Sequence, residues 1–139
     1  MEVTMAKVGR SIYFKAALED KPGALLKVMQ DLKAKNIALA GLWGFATSQG
    51  KAQLYVVPKN PDKLRDAWKA SGLLAEEGTG FWIKGADRTG ALGMSLEALA
   101  SAGVNIGAMH AIAVGGQFGS FLWVNAADVK KTAEALGVK

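Results

Sequence analysis

Two turns hold the residue types best suited to chemistry. Asp20-Lys21-Pro22-Gly23-Ala24-Leu25 recurs 67 residues later as Asp87-Arg88-Thr89-Gly90-Ala91-Leu92. Each stands where alternating apolar residues give way to apolar spacings of three and four, so each leads from a strand into a helix. The first N–H groups of a helix have no partner inside it and carry the positive end of its dipole. Glycine lets a bound group approach such a backbone closely. The amides of Gly23, Ala24 and Leu25, or of Gly90, Ala91 and Leu92, therefore suit an anion. Asp20 and Asp87 serve equally as helix caps or as ligand contacts, and both glycines are needed for a tight turn even with nothing bound. Thr89 adds a hydroxyl and keeps the backbone N–H that Pro22 lacks.

The rest of the chemical inventory is short. The 139 residues include one histidine, His110, and no cysteine. Disulfides, thiol nucleophiles, iron–sulfur clusters and multi-histidine metal sites are thereby excluded. Gly115-Gly116-Gln117-Phe118-Gly119 joins two strands rather than a strand and a helix, which argues against a phosphate cradle. Glu76 and Glu77 are adjacent in a strand and point to opposite faces. No catalytic set, metal or cofactor is expected. His110 is expected as a buried, hydrogen-bonded strand residue, and Trp43, Trp68, Trp82 and Trp123 as packing. Lys+Arg 17 against Asp+Glu 12 leaves a charge of +5, which permits an anionic partner without requiring one. The first ten residues carry no signal-peptide pattern, and no apolar run reaches membrane-spanning length, so a cytoplasmic protein is expected.

The elements that position the turns also repeat. The same offset carries Phe14 onto Phe81, Leu32 onto Leu99, Ile37 onto Val104 and Val57 onto Val124. Ile12, Phe14, Ala16 and Leu18 alternate as a first strand, and Phe81, Ile83 and Gly85 match them. Leu25, Val28, Met29 and Leu32 define one helical face, matched by Leu92, Ser95, Leu96 and Leu99. Asn36 and Gly103 close these helices. A strand hairpin follows in each copy, then a second helix, opened in copy one by Asn60 and Pro61. The repeats are residues 1–72 and 73–139, each read as β-α-β-β-α-β. Leu73–Glu77 supplies the fourth strand of copy one. The fourth strand of copy two has no obvious source, so edge strands exchanged between the repeats are expected, from residues 1–9 or part of 79–84. The fold class is α+β, with two ferredoxin-like repeats of antiparallel strands and helices on one face. The other face, with Ala38, Ala40, Leu42, Met109, Ala111 and Ala113 assigned to it, is too apolar for water, so a homo-oligomer, most simply a dimer, is expected.

With that topology, the turn Asp20-Lys21-Pro22-Gly23-Ala24-Leu25 and the strand start Gly103-Val104-Asn105-Ile106 resemble the ACT domain family. Copy one has Ala38 at the family's Asn position, and copy two has Thr89 at the proline. The resemblance spans residues 11–139 and implies a stand-alone tandem ACT protein. It implies a free amino acid or similar small molecule bound at a seam between paired domains, near the turn and the strand start, and an enzyme partner regulated by it. The ligand carboxylate would meet the turn amides. Its ammonium would meet Asp20, Asp87, the Asn105 side chain or backbone carbonyls. The copy-two turn with Asn105 and Ile106 ranks above the copy-one turn.

Two other classes share the topology. An RNA-recognition module would suit a basic chain, but Gly50-Lys51-Ala52-Gln53-Leu54-Tyr55 and Gly116-Gln117-Phe118-Gly119-Ser120-Phe121 do not place the aromatics that such modules stack on bases. A cofactor-free enzyme of ferredoxin-like type would have His110 alone to work with. Neither nucleic acid nor membrane is therefore expected as a partner.

Overall fold

In the computed structural model, which describes residues 6–138, the chain forms two compact units. One comprises residues 12–78, the other residues 6–11 with 79–138. Strands β1 (Lys7–Glu19) and β4 (Leu74–Ala86) are long enough to lend one part to each unit.

The 12–78 unit adds α1 (Ala24–Ala34), β2 (Leu39–Ala46), β3 (Lys51–Pro58) and α2 (Pro61–Ser71), with strand order β2-β3-β1-β4. Alternation puts Phe14 and Ala16 of β1 opposite Val56 and Leu54 of the antiparallel β3. The helices bury Val28, Leu32, Leu64 and Trp68 against them in one core. The start of α2 follows the expectation: the Asn60 side chain accepts the Lys63 N–H at 3.3 Å and Pro61 takes the first helical position. Asn36, at φ 56°, ends α1 in the left-handed region, and the Ile37 N–H closes back on the Leu32 carbonyl at 2.9 Å.

The second unit has α3 (Gly93–Ser101), β5 (Ile106–Val114), β6 (Gln117–Val124) and α4 (Val129–Leu136), with order β1-β4-β6-β5. Its core joins Phe81 and Ile83 of β4 with Phe118 and Leu122 of β6, and with Leu99, Val104 and Ala133. The missing fourth strand is the segment 7–11 of β1; residues 1–5 and 139 lie outside the described residues. That segment fits because Gly9 lies beneath the Trp82 indole, where any Cβ would overlap the ring. Each unit is thus the α+β, ferredoxin-like arrangement read from the sequence, with antiparallel strands and helices on one face.

Three local readings are corrected. Leu42 pairs with Val56, Met109 with Leu122 and Ala113 with Phe118, so Leu42, Met109, Ala111 and Ala113 lie on the helix-covered face. The uncovered faces instead carry Trp43 and Phe45, and His110 and Ile112. Register shifts between Leu39 and Gly41 and between Ile106 and Ala108 cause this, because one extra residue inverts every later side chain. His110 accordingly stands on the uncovered face, solvent-exposed yet partly desolvated, rather than in the core, across from Phe121. Finally, neither Asp20 nor Asp87 caps a helix. The residues preceding α1 and α3 are Gly23 and Leu92, without a side-chain cap, and the Asp20 and Asp87 N–H groups donate to the Gly50 and Gly116 carbonyls at 3.1 and 3.0 Å.

Candidate functional site

The two turns keep the same backbone logic. Gly23 and Gly90 both adopt positive φ, 86° and 75°, which an L side chain resists. The Ala24 N–H donates to the Lys21 carbonyl at 3.3 Å, and the Ala91 N–H to the Arg88 carbonyl at 3.0 Å. These two amides are therefore engaged within the turn. In copy two an extra bond from the Gly93 N–H to the Gly90 carbonyl, 2.9 Å, delays α3 by two residues relative to α1.

The surroundings of the turns differ. Lys21 pairs with Glu19 at 2.9 Å, and that contact pulls the Glu19 carboxyl below its ordinary value. Both turns are exposed, Leu25 at 44% of its free surface where Leu92 is half-buried, and the copy-one turn holds an acidic group beside Lys21. At the position of Glu19, copy two has Ala86.

Beside the copy-two turn lies a cleft of about 360 Å³. Arg88, Thr89, Gly90 and Ala91 form its rim. Met94, Ser95 and Ala98 of α3 make one wall, and Ala135 and Leu136 of α4 with Ala6 and Val8 make the other. Among these lining residues Arg88 is the one charged side chain. The wall residues escaped the sequence reading, although the repeat holds a trace of them. Ser95 aligns with Val28, which is buried in the core of the other unit. Copy two thus has a smaller, polar side chain where copy one has a core valine.

The remaining sequence-derived candidates are not brought to this cleft. Leu92 and Ile106 pack against the hydrophobic core. Asp87 and Asn105 are exposed. Asn105 follows the C-terminal end of α3, and nine helical residues span about 13 Å, so it stands away from Gly90. Asp20 and Pro22 are exposed at their own turn.

Elsewhere, Glu76 and Glu77 diverge as adjacent strand residues must. Glu76 approaches Lys15 at 3.9 Å, while Glu77 grips the Arg65 guanidinium at 2.9 Å. Glu77 and then Asp62 hold the Arg65 pKa up, and Arg65 holds that of Glu77 down. This is a structural network, since Arg65 also lies over the Phe14 ring. Among the described residues no His, Asp and Glu cluster could hold a metal ion, and no helix is long and apolar enough to cross a membrane. Tyr13 and Tyr55, on the central strands of the 12–78 unit, are 6% and 8% exposed, which denies a base the faces it would stack on.

Comparison with family models and with curated proteins finds no match. Solved structures do match. Protein BT0572 from Bacteroides thetaiotaomicron is 27% identical with a TM-score of 0.75, over 95% of this chain and 88% of that one. The regulatory subunit of aspartate kinase from Thermus thermophilus, in ligand-free form, gives 0.64 at 16% identity, over 97% and 96%. The corresponding subunit from Thermus flavus gives 0.65 at 17% identity, over the same shares. The chain shares the fold of these structures over nearly its whole length.

Proposed function

We propose that this is a regulatory protein that binds a free amino acid at the copy-two turn, acts on an enzyme partner as a homodimer, and catalyses nothing itself. The observation that carries this reading is the cleft of about 360 Å³ at the turn that opens α3. That volume suits a metabolite of amino-acid size. Arg88 and Thr89 supply a cation and a hydroxyl for a carboxylate, and backbone carbonyls can accept from an ammonium. The fold shared with aspartate kinase regulatory subunits supports a regulatory role, and agrees with the ACT resemblance of the turn. Exposed Phe45, Ile112 and Val114, at 52%, 68% and 71%, support self-association.

The test is thermal denaturation of the full chain against each standard amino acid. At least one selective stabiliser is expected, and a flat response across the panel rejects the reading. Asn105→Ala separates two placements. An unchanged response keeps the ligand in the cleft, whereas a lost response moves it to the strand start.

A further inference from the structure

Lys33, Lys35, Lys59 and Lys63 gather where α1 ends and β2 begins. The Lys63 ammonium donates to the Asn36 carbonyl at 3.0 Å, and the Lys59 N–H donates to the Ala38 carbonyl at 2.9 Å. Lys33 lies in the last turn of α1, and Lys35 follows that helix. Asp31 and Asp66 are the acids beside them. Asp31 is held by Lys35 at 3.0 Å, and Asp66 lines one groove with Lys35 and Lys63. Asp62 turns instead to Arg65, at 2.6 Å. Lys33 and Lys59 have no ion-pair partner among the described residues. The lysines therefore outnumber the acids that could neutralise them.

The same lysines border apolar recesses. A depression of about 290 Å³ is lined by Met29, Leu32, Ile37 and Leu39, with Lys33 also in its lining. A groove of about 550 Å³ beside α2 is lined by Ala67, Ala70 and again Ile37, with Lys35 and Lys63. Ile37, shared by both, is 7% exposed, so the apolar floor is recessed below the charged rim.

The fold does not require these lysines, because the second repeat makes the same corner without them. The Val104 N–H closes α3 on the Leu99 carbonyl at 3.0 Å, as Ile37 closes α1 on Leu32 at 2.9 Å. Yet Ala100 and Ala102 stand at the positions of Lys33 and Lys35. Asn125 follows β6 where Lys59 follows β3. A lysine favours a helix C-terminus, but α3 ends with no basic residue in its last turn.

We infer that this corner docks an acidic segment of a protein partner, with one aliphatic side chain over Ile37 and flanking carboxylates at the four lysines. It rests on the enzyme partner of the reading above and gives that partner a place to bind. Complementary charge steers and orients the segment. Exposed ion pairs contribute little by themselves, so the apolar anchor supplies much of the affinity. Nucleic acid fits this corner less well, since neither recess is lined by an aromatic ring or an arginine. A membrane surface also fits less well, because the apolar residues are recessed rather than protruding.

The full chain is titrated into a fluorescein-labelled heptapeptide with a central leucine and three glutamates on each side, followed by anisotropy. Saturable binding is expected, weakening several-fold from about 50 to about 200 mM salt. Alanine in place of the peptide's leucine should weaken it about fivefold or more. Lys33→Glu with Lys59→Glu should weaken it about tenfold or more. Lys84→Glu with Lys130→Glu, the same charge change in the other unit, should leave it unchanged. If the first pair fails to fold, Lys33→Ala with Lys59→Ala takes its place, with a loss of about threefold or more expected. No saturable binding at low salt overturns the inference. So does equal loss in both charge-reversed pairs, which reports net charge alone, or equal affinity for the alanine peptide. Tighter binding of oligouridylate, or of vesicles of equal parts phosphatidylserine and phosphatidylcholine, also overturns it. The thermal response to amino acids decides the ligand reading separately, whatever the peptide does.

Discussion

Exchanging one pair of equivalent residues between the repeats measures whether the cleft is open space. Ser95 borders it, and its counterpart Val28 is 9% exposed in the core of the 12–78 unit. In Ser95→Val two methyl groups replace a hydroxyl on a half-buried helix position. Burying one to two methylene equivalents stabilises by about 0.8 kcal/mol each. Valine's poorer helix propensity returns a few tenths of a kcal/mol, so about 0.5–1 kcal/mol of stabilisation remains. For a chain of this size that raises Tm by about 1–4 °C. The reverse exchange, Val28→Ser, removes core methyls and leaves a hydroxyl in apolar surroundings, which costs about 2–3 kcal/mol. Urea unfolding of both variants, followed by tryptophan fluorescence, gives the two signs directly. The same Ser95→Val protein should lose its ligand-induced Tm shift. Destabilisation of Ser95→Val by more than about 1 kcal/mol would show overpacking, not an open cleft, and would refute the reasoning.

Two further outcomes follow from the local geometry. Gly90→Ala meets no atom within 4 Å but must hold a φ of 75°, so it should cost about 1–2 kcal/mol from backbone strain alone. Gly80→Ala would drive its Cβ into the Phe121 ring and to 3.0 Å from the Leu122 carbonyl; urea midpoints should place it below Gly90→Ala, at about 2–3 kcal/mol. His110 has its pKa lowered from 6.5 by partial burial. The unfolded chain therefore binds its proton first, and the histidine's contribution, intact above pH 6.5, is lost as pH falls through the folded value. The Tm difference between wild type and His110→Gln should be constant above pH 6.5 and shift on acidification, with the wild type losing more; a difference independent of pH would exclude the effect.

Most of the architecture was legible because it rests on local rules that repeat. Asn60-Pro61 names a helix start, Asn36 a helix stop, and Phe14, Ala16, Phe81 and Ile83 name inward strand positions, each from its own few neighbours. The misreadings arose where one residue carries non-local information. The register shifts at Leu39/Gly41 and Ile106/Ala108 leave no mark in residue type, yet they invert Leu42, Met109 and His110. The source of the missing fourth strand was open for a related reason: Val8 and Gly9 do not look like a strong strand alone, and the residue that Gly9 fits beneath, Trp82, is more than seventy residues away. The cleft was still less accessible, since an unfilled volume belongs to no residue. It is the sum of what Ala98, Ser95 and Ala135 fail to occupy.

That sum also explains why one of two similar turns carries the candidate site. A helix N-terminus by itself attracts an anion weakly, because water competes for its exposed amides. Both repeats keep this element, so it does not distinguish them. In copy one Val28 is buried in the core, and Glu19 sets a negative charge beside Lys21. In copy two Ser95 and Ala86 stand at those two positions, the first lining the cleft and the second carrying no acid. Filling and charge change in the same direction, although packing alone would demand only the first. The ligand site proposed at Arg88 and Gly90 accounts for this coincidence, which packing alone does not require.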